Sequence, residues 1–134
     1  MPRPAVMALS ETHVHLRARG AAEFVPRDFS KVTQNGATIV WDPGVDGILA
    51  GEGELSKSSE HAGERHLDGD EVLYLVSGAM RLSLELDEGG TTEIPLDQGQ
   101  AVIVPQGVWH RLIIDAPIRL LYFGGGRTEI RSPV

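Results

Sequence analysis

The sequence contains no cysteine, so it has no disulfide framework, no thiolate metal ligand and no cysteine nucleophile. Long apolar runs are absent too. The longest, Ala5–Leu9 and Val72–Val76, are five residues each, against the ~20 that a membrane helix needs. The opening residues, MPRPAVMALSETH, hold no apolar stretch of the length a secretory signal uses. Positive charge is sparse, with 12 Lys and Arg against 19 Asp and Glu for a net −7. That balance argues against nucleic acid or an anionic membrane as partner, since both need clustered cations. At 134 residues the chain fits one domain, spanning 1–134, with no second core. The expectation is a cytoplasmic protein whose chemistry uses His, Asp, Glu, Ser, Arg or a bound metal.

A helical period is also scarce, and 16 Gly and 8 Pro break the chain often. Strand signals take its place. Glu71–Ser77 is rich in β-branched and aromatic residues and stops at Gly78. Met80, Leu82, Leu84 and Leu86 then alternate with polar residues, the period of a half-buried strand. Turn signals at Asp87–Gly90, Leu96–Gly99, Pro105–Gly107 and Ala116-Pro117 divide the rest into short strands. These are Thr91–Pro95, Gln100–Val104, Val108–Asp115 and Ile118–Phe123. Earlier in the chain, Thr12–Leu16, Glu23–Val25, Ala37–Trp41 and Ile48–Ser56 read as further strands. Asp28–Gln34 reads as a turn or one helical turn, Lys57–Gly63 as a polar loop, and residues 124–134 as a loose tail. Many short strands joined by tight turns predict an all-β sandwich or barrel.

Four polar side chains fall where strands present them to one face. Glu64 and His66 share a face because extended side chains alternate. Glu71 opens the next strand in phase with Leu73 and Leu75, and His110 lies in phase with Val108, Leu112 and Ile114. Ionisable groups in an apolar interior are costly unless they pair or bind a metal. Two imidazoles with one or two carboxylates make a nitrogen and oxygen ligand set suited to Fe, Mn, Ni, Co or Zn.

The spacings resemble those of the cupin superfamily, whose motifs run G-x5-H-x-H-x3-4-E-x6-G and G-x5-P-x-G-x2-H-x3-N. His66, Glu71 and Gly78 match the end of the first, and Gly99, Pro105, Gly107 and His110 match the second. The motif-bearing core is thus about 58–123, preceded by the strands of 10–56. The resemblance implies a small antiparallel β-barrel of the jelly-roll type, assembled as a homodimer. It also implies a divalent first-row transition metal on His66, Glu71 and His110. Three positions depart from the pattern. Glu64 stands where the first metal-binding His belongs, Ser58 replaces the leading Gly, and Ile114 replaces the terminal Asn. Glu64 is therefore either a fourth ligand or a catalytic base beside the metal. If no metal binds, the two carboxylates and two imidazoles form a coupled acid/base set of the kind sugar epimerases on this fold use.

Strand parity predicts a pocket lined by Leu73, Leu75, Leu82 and Leu84 with Val108, Leu112 and Ile114. Such a lining suits a small neutral or aromatic ligand, and no Lys or Arg is required to point inward. Arg81 and Arg119 would enter only through a bulge. Tyr74, Trp109 and Arg111 fall out of phase and should face away. His61 reads as a loop residue, and His13 and His15 as ordinary strand residues near a terminus or dimer contact. The function expected is a metal-dependent oxidative or isomerising enzyme. A metal-free isomerase and a non-catalytic ligand sensor are the alternatives.

Overall fold

The computed structural model describes residues 5–132, and among them lie thirteen strands and no helix. The first five are β1 (Thr12–Leu16), β2 (Ala22–Pro26), β3 (Val32–Asn35), β4 (Thr38–Trp41) and β5 (Ile48–Leu55). Next come β6 (Gly63–His66), β7 (Glu71–Ser77), β8 (Ala79–Glu85) and β9 (Thr91–Asp97). The last four are β10 (Ala101–Val104), β11 (His110–Ile113), β12 (Ile118–Gly124) and β13 (Thr128–Arg131). Every pairing is antiparallel. One sheet runs β10-β7-β12-β5-β1-β2 and the other β3-β4-β13-β6-β11-β8-β9. The all-β jelly roll expected from the sequence is present, although the barrel is open: hydrogen bonding stays within each sheet.

Alternation explains the packing. Along β7 the inner residues Glu71, Leu73 and Leu75 are buried, while Val72, Tyr74 and Val76 are more exposed. Leu75, Leu82 and Val104 are fully buried where the sheets face each other, and each such side chain contributes about 1.5–3 kcal/mol by leaving water. The chain passes from the first sheet to the second at Gly78, whose φ is 92°. A Cβ there would press on Ile118 and the Pro117 carbonyl, so the motif glycine marks a corner that other residues would strain. Pro95 removes a ladder donor, and it sits in β9, the last strand of its sheet, where that loss is tolerated.

Two expectations are corrected here. Residues 124–134 are not a loose tail, because β13 is hydrogen-bonded between β4 and β6; positions 133 and 134 lie outside the described residues. Its outward Glu129 is 4% exposed and accepts hydrogen bonds from Arg65 (2.7 Å), Thr38 (2.7 Å) and Asn35 (2.8 Å). Four residues are too few to show a period, and what holds them lies far away in sequence. Likewise the segment read as a turn over Asp28–Gln34 contains most of β3. It forms a hairpin with β4 in which Asn35 faces Thr38 across Gly36-Ala37.

Candidate metal centre

Glu64 and His66 are the second and last residues of β6, Glu71 is the first of β7, and His110 is the first of β11. The cluster therefore joins both sheets. His110 is the direct cross-strand partner of Glu64, and His66 faces Thr128 of β13. One donor atom from each of Glu64, His66, Glu71 and His110 lies within 4.8 Å of the others. His66 Nε2 is 3.1 Å from Glu71 Oε1, and His110 Nε2 is 3.3 Å from Glu64 Oε1. The four residues expected from the sequence are thus brought together.

What each imidazole does with its other nitrogen decides the chemistry. His110 Nδ1 lies 2.9 Å from the Val108 carbonyl, to which it donates. This leaves Nε2 as a lone pair in the neutral ring. His66 Nδ1 is 3.1 Å from the Thr128 hydroxyl, so its Nε2 is turned toward the same centre. Both Nε2 atoms are buried, and although carboxylate oxygens lie 3.1 and 3.3 Å away, neither contact has the alignment of a hydrogen bond. Buried polar atoms are rarely left so. Two oriented imidazole lone pairs beside two carboxylates fit a first-row divalent ion, with the outer partners that metal-binding histidines use. The backbone holds the arrangement. The Gly107 amide donates to the His66 carbonyl (2.9 Å), and Gln106 bonds both Asp70 and Leu67 in the turn between His66 and Glu71.

Without an ion, the charges pair. Burial pushes the Glu64 carboxyl up, but the close approach of His110, with the charges of His66 and His61 added, outweighs it and brings it below its ordinary value. Burial lowers His110, yet Glu64 raises it on balance. His61 lies 3.7 Å from Glu64 Oε2 and is lowered by burial against the pull of that carboxylate. Its Nδ1 accepts from the Gly63 amide, so it belongs to the loop end, in agreement with its position out of phase.

The cluster borders a cavity of about 430 Å³ between the sheets. Of the pocket residues expected from strand parity, Leu73 and Leu112 line it. Leu75, Leu82 and Ile114 instead fill the hydrophobic core, with Leu84 packed against them, and Val108 is half-buried and off the lining. Period 2 gives the inward face of a strand, but not which inward residues meet a space and which interdigitate. The open side is walled by His13, Phe29, Trp41, Tyr122, Thr128 and Ile130, from β1, the segment between β2 and β3, β4, β12 and β13. His13 is therefore no ordinary strand residue. His15 is structural: it bonds Glu23 at 3.2 Å and the Asp46 carbonyl, tying β1 to its neighbours. Alternation within Thr12–Leu16 did place both histidines on one face, and Tyr122 is in phase with Leu120; nothing local marks that face as inward. Trp109 does face away, stacked under Arg65 and Arg131 at 4.7 and 4.0 Å. Tyr74 is exposed, and Arg111 bonds the loop carbonyls of Ser59 and His61. Arg81 and Arg119 form surface ion pairs.

The cupin domain family model matches residues 51–124, more than half of the chain. The chain is a cupin. The match runs from within β5 to the end of β12 and includes all four cluster residues. Among solved structures, this cupin is similar to procruciferin, an 11S globulin of Brassica napus, at 18% identity and a TM-score of 0.52. That match covers 60% of this chain and 22% of the globulin. It is also similar to the Lactobacillus farciminis oxalate decarboxylase in its formate complex, at 18% identity and a TM-score of 0.51, covering 78% and 31% of the two chains. The 7S globulin of Momordica charantia matches at 13% identity and a TM-score of 0.51, covering 72% and 32%. The cupin spans less than a third of each of these proteins, and at such identities they share its fold. No curated protein matches its sequence. Among the described residues no helix is long and apolar enough to cross a membrane.

Proposed function

We propose that this cupin binds a divalent first-row metal through His66, Glu71 and His110, and acts on a small neutral or aromatic molecule in oxidative or isomerising chemistry. The observation that carries the proposal is the pair of buried Nε2 atoms that face two carboxylates without an aligned hydrogen bond. Bound there, the ion supplies Lewis acidity and, if iron, access to oxygen chemistry. The protein does the rest. Val108 and Thr128 hold the imidazoles in one orientation. Glu64 is less buried than its three companions and borders the cavity, so it is placed either to complete the ligand set or to take a proton from a ligand. Leu73, Leu112 and Ile130 exclude water, and the cavity lining holds no Lys or Arg, which disfavours phosphorylated or multiply anionic substrates. With both carboxylates as ligands, the protein charge offsets that of the ion, which weakens its acidity toward water and disfavours simple hydrolysis.

A second copy of the chain is the proposed partner, docked on the outer face of the β10-β7-β12-β5-β1-β2 sheet, and the cytoplasm the proposed compartment. The deciding experiment is metal analysis of protein purified without added metal, followed by reconstitution with Fe, Mn, Ni, Co and Zn. One ion per chain, lost in His110→Ala, is the expected result. If wild-type protein binds none, the metal-dependent reading fails. Turnover without metal would then favour acid/base isomerisation by the Glu64–His110 pair, and ligand binding without turnover a sensor.

A further inference from the structure

The cavity carries a second polar group that the metal cluster leaves unused. His13 Nε2 and the Tyr122 hydroxyl lie 2.6 Å apart, and both residues line the cavity. His13 is 2% exposed. Its ring meets Phe29 edge-on at 5.7 Å, and Phe29 lies 5.1 Å from Trp41, so aromatic faces frame the pair. The sequence makes room for it. Gly51 is the cross-strand partner of Tyr122, and a Cβ at that position would overlap the phenol ring.

Both partners are neutral near pH 7. Burial and the charge of Arg27 hold His13 below its ordinary value. Burial raises Tyr122 against the opposing charge of Arg27, with Glu71 adding to the rise. A neutral imidazole–phenol pair can run its hydrogen bond either way. With Nε2–H donating to the phenol oxygen, the phenol O–H is free for a ligand carbonyl. With the phenol donating to Nε2, its oxygen accepts from a ligand hydroxyl. The pair offers nothing to balance a full charge. Tyr122 faces Leu73 across the strands, which makes Glu71 its diagonal neighbour on the same inner face. The rings of Phe29 and Trp41 line the same cavity of about 430 Å³, which leaves room for a flat ring between the pair and the cluster.

We propose that Tyr122, positioned by His13, is a second anchor of the site. It selects a flat, ring-sized, uncharged ligand carrying a hydroxyl or carbonyl oxygen at the end remote from His66, Glu71 and His110. The inference rests on the metal-binding reading only for the identity of the near anchor.

The test compares hydroquinone, with an oxygen at each end of the ring, and phenol, with one. Zn²⁺ is the ion used, because it is redox-inert. Zn²⁺-loaded wild type and variants are titrated by calorimetry, with Zn²⁺ stoichiometry measured alongside. Wild type should bind hydroquinone about three- to tenfold tighter than phenol, the worth of one neutral hydrogen bond. Tyr122→Phe should bring that ratio to about one. His13→Ala should do the same, and His13→Gln should restore part of it, since its amide can still meet the hydroxyl; a purely structural role would give no such rescue. A ratio unchanged in Tyr122→Phe overturns the inference. If no variant, nor wild type, holds Zn²⁺, the metal reading has failed by itself, and the same ratio measured on metal-free wild type and Tyr122→Phe still decides the role of Tyr122.

Discussion

Thr128 shows how much one hydroxyl can matter. It is buried on β13 and lies 3.1 Å from His66 Nδ1, so it fixes which nitrogen of that imidazole faces Glu71. Thr128→Val keeps the shape and removes the partner. Outer-shell changes of this kind typically cost 10–100-fold in metal affinity. Thr128→Val should therefore weaken Co²⁺ binding by at least about tenfold, read by visible absorption in a competition titration. Its melting temperature should move far less than that of a core truncation. Affinity equal to wild type would mean that the His66 orientation is set by packing alone. Glu71→Gln tests the adjacent ligand: it preserves volume and removes a charge, and it should abolish stoichiometric binding with the fold intact by circular dichroism.

Among the strands, β13 has the greatest influence for its length. Its inward residues Thr128 and Ile130 line the cavity, while its outward Glu129 is anchored by Arg65, Thr38 and Asn35. The Thr38 hydrogen bond, then Arg65 and Asn35, hold the Glu129 carboxyl below the ordinary range despite its burial. Glu129→Ala removes a buried, hydrogen-bonded carboxylate and leaves Arg65 partly unpaired, so it should cost about 2–3 kcal/mol in urea unfolding. It should also lower metal affinity, because it loosens the strand that carries Thr128. Beside it, Asp68 binds both the amide and the guanidinium of Arg127, and these hydrogen bonds lower its carboxyl from 3.8 to about 2. A depressed carboxylate stabilises the fold above its unfolded value and loses that contribution as pH falls. The window here runs from about pH 4 down to about 2. Thermal midpoints of wild type should therefore fall more steeply across that window than those of Asp68→Asn. Parallel curves would show that the surface pair contributes nothing.

These elements also show what the sequence makes readable. Glu64, His66, Glu71 and His110 were legible because strand parity and fixed turn spacings act over a few residues. Gly78, Gly99 and Gly107 marked the corners between them for the same local reason. Thr128, His13 and Tyr122 were not legible. Each reaches the site through pairings with partners distant in sequence, such as Thr128 with His66 and Tyr122 with Gly51. The expected pocket erred in the same way. Leu75, Leu82, Leu84 and Ile114 do face inward, but inward positions near β8 interdigitate while those near β1, β4 and β13 leave a space.

At the scale of the whole molecule, the outer face of the six-stranded sheet stands out. Cross-strand pairing aligns Ile103, Val72, Phe123, Ala50, Val14 and Phe24 in a single row from one edge of the sheet to the other. Every strand contributes one apolar residue and none contributes a charge. Ile103 at one end is 64% exposed, and Tyr74 in the neighbouring row is 37% exposed. The other sheet differs, since its outer face carries Glu129, Arg65 and Arg131 around Trp109. An uncharged row can pack on its own copy about a two-fold axis without any charge to match, and charged pairs such as Arg119–Glu54 stand at its border. Light scattering should therefore give twice the chain mass for wild type at micromolar concentration. Ile103→Lys should give the single-chain mass, because it sets a like charge on both partners of the contact. Leu86→Lys, which changes an exposed residue just beyond β8 in the other sheet, should leave the dimer intact. Metal content should be the same in all three, since Val72, the partner of Ile103, faces the opposite side of β7 from Glu71. A monomeric wild type, or a dimer untouched by Ile103→Lys, would remove this face as the contact and leave the site complete within one chain.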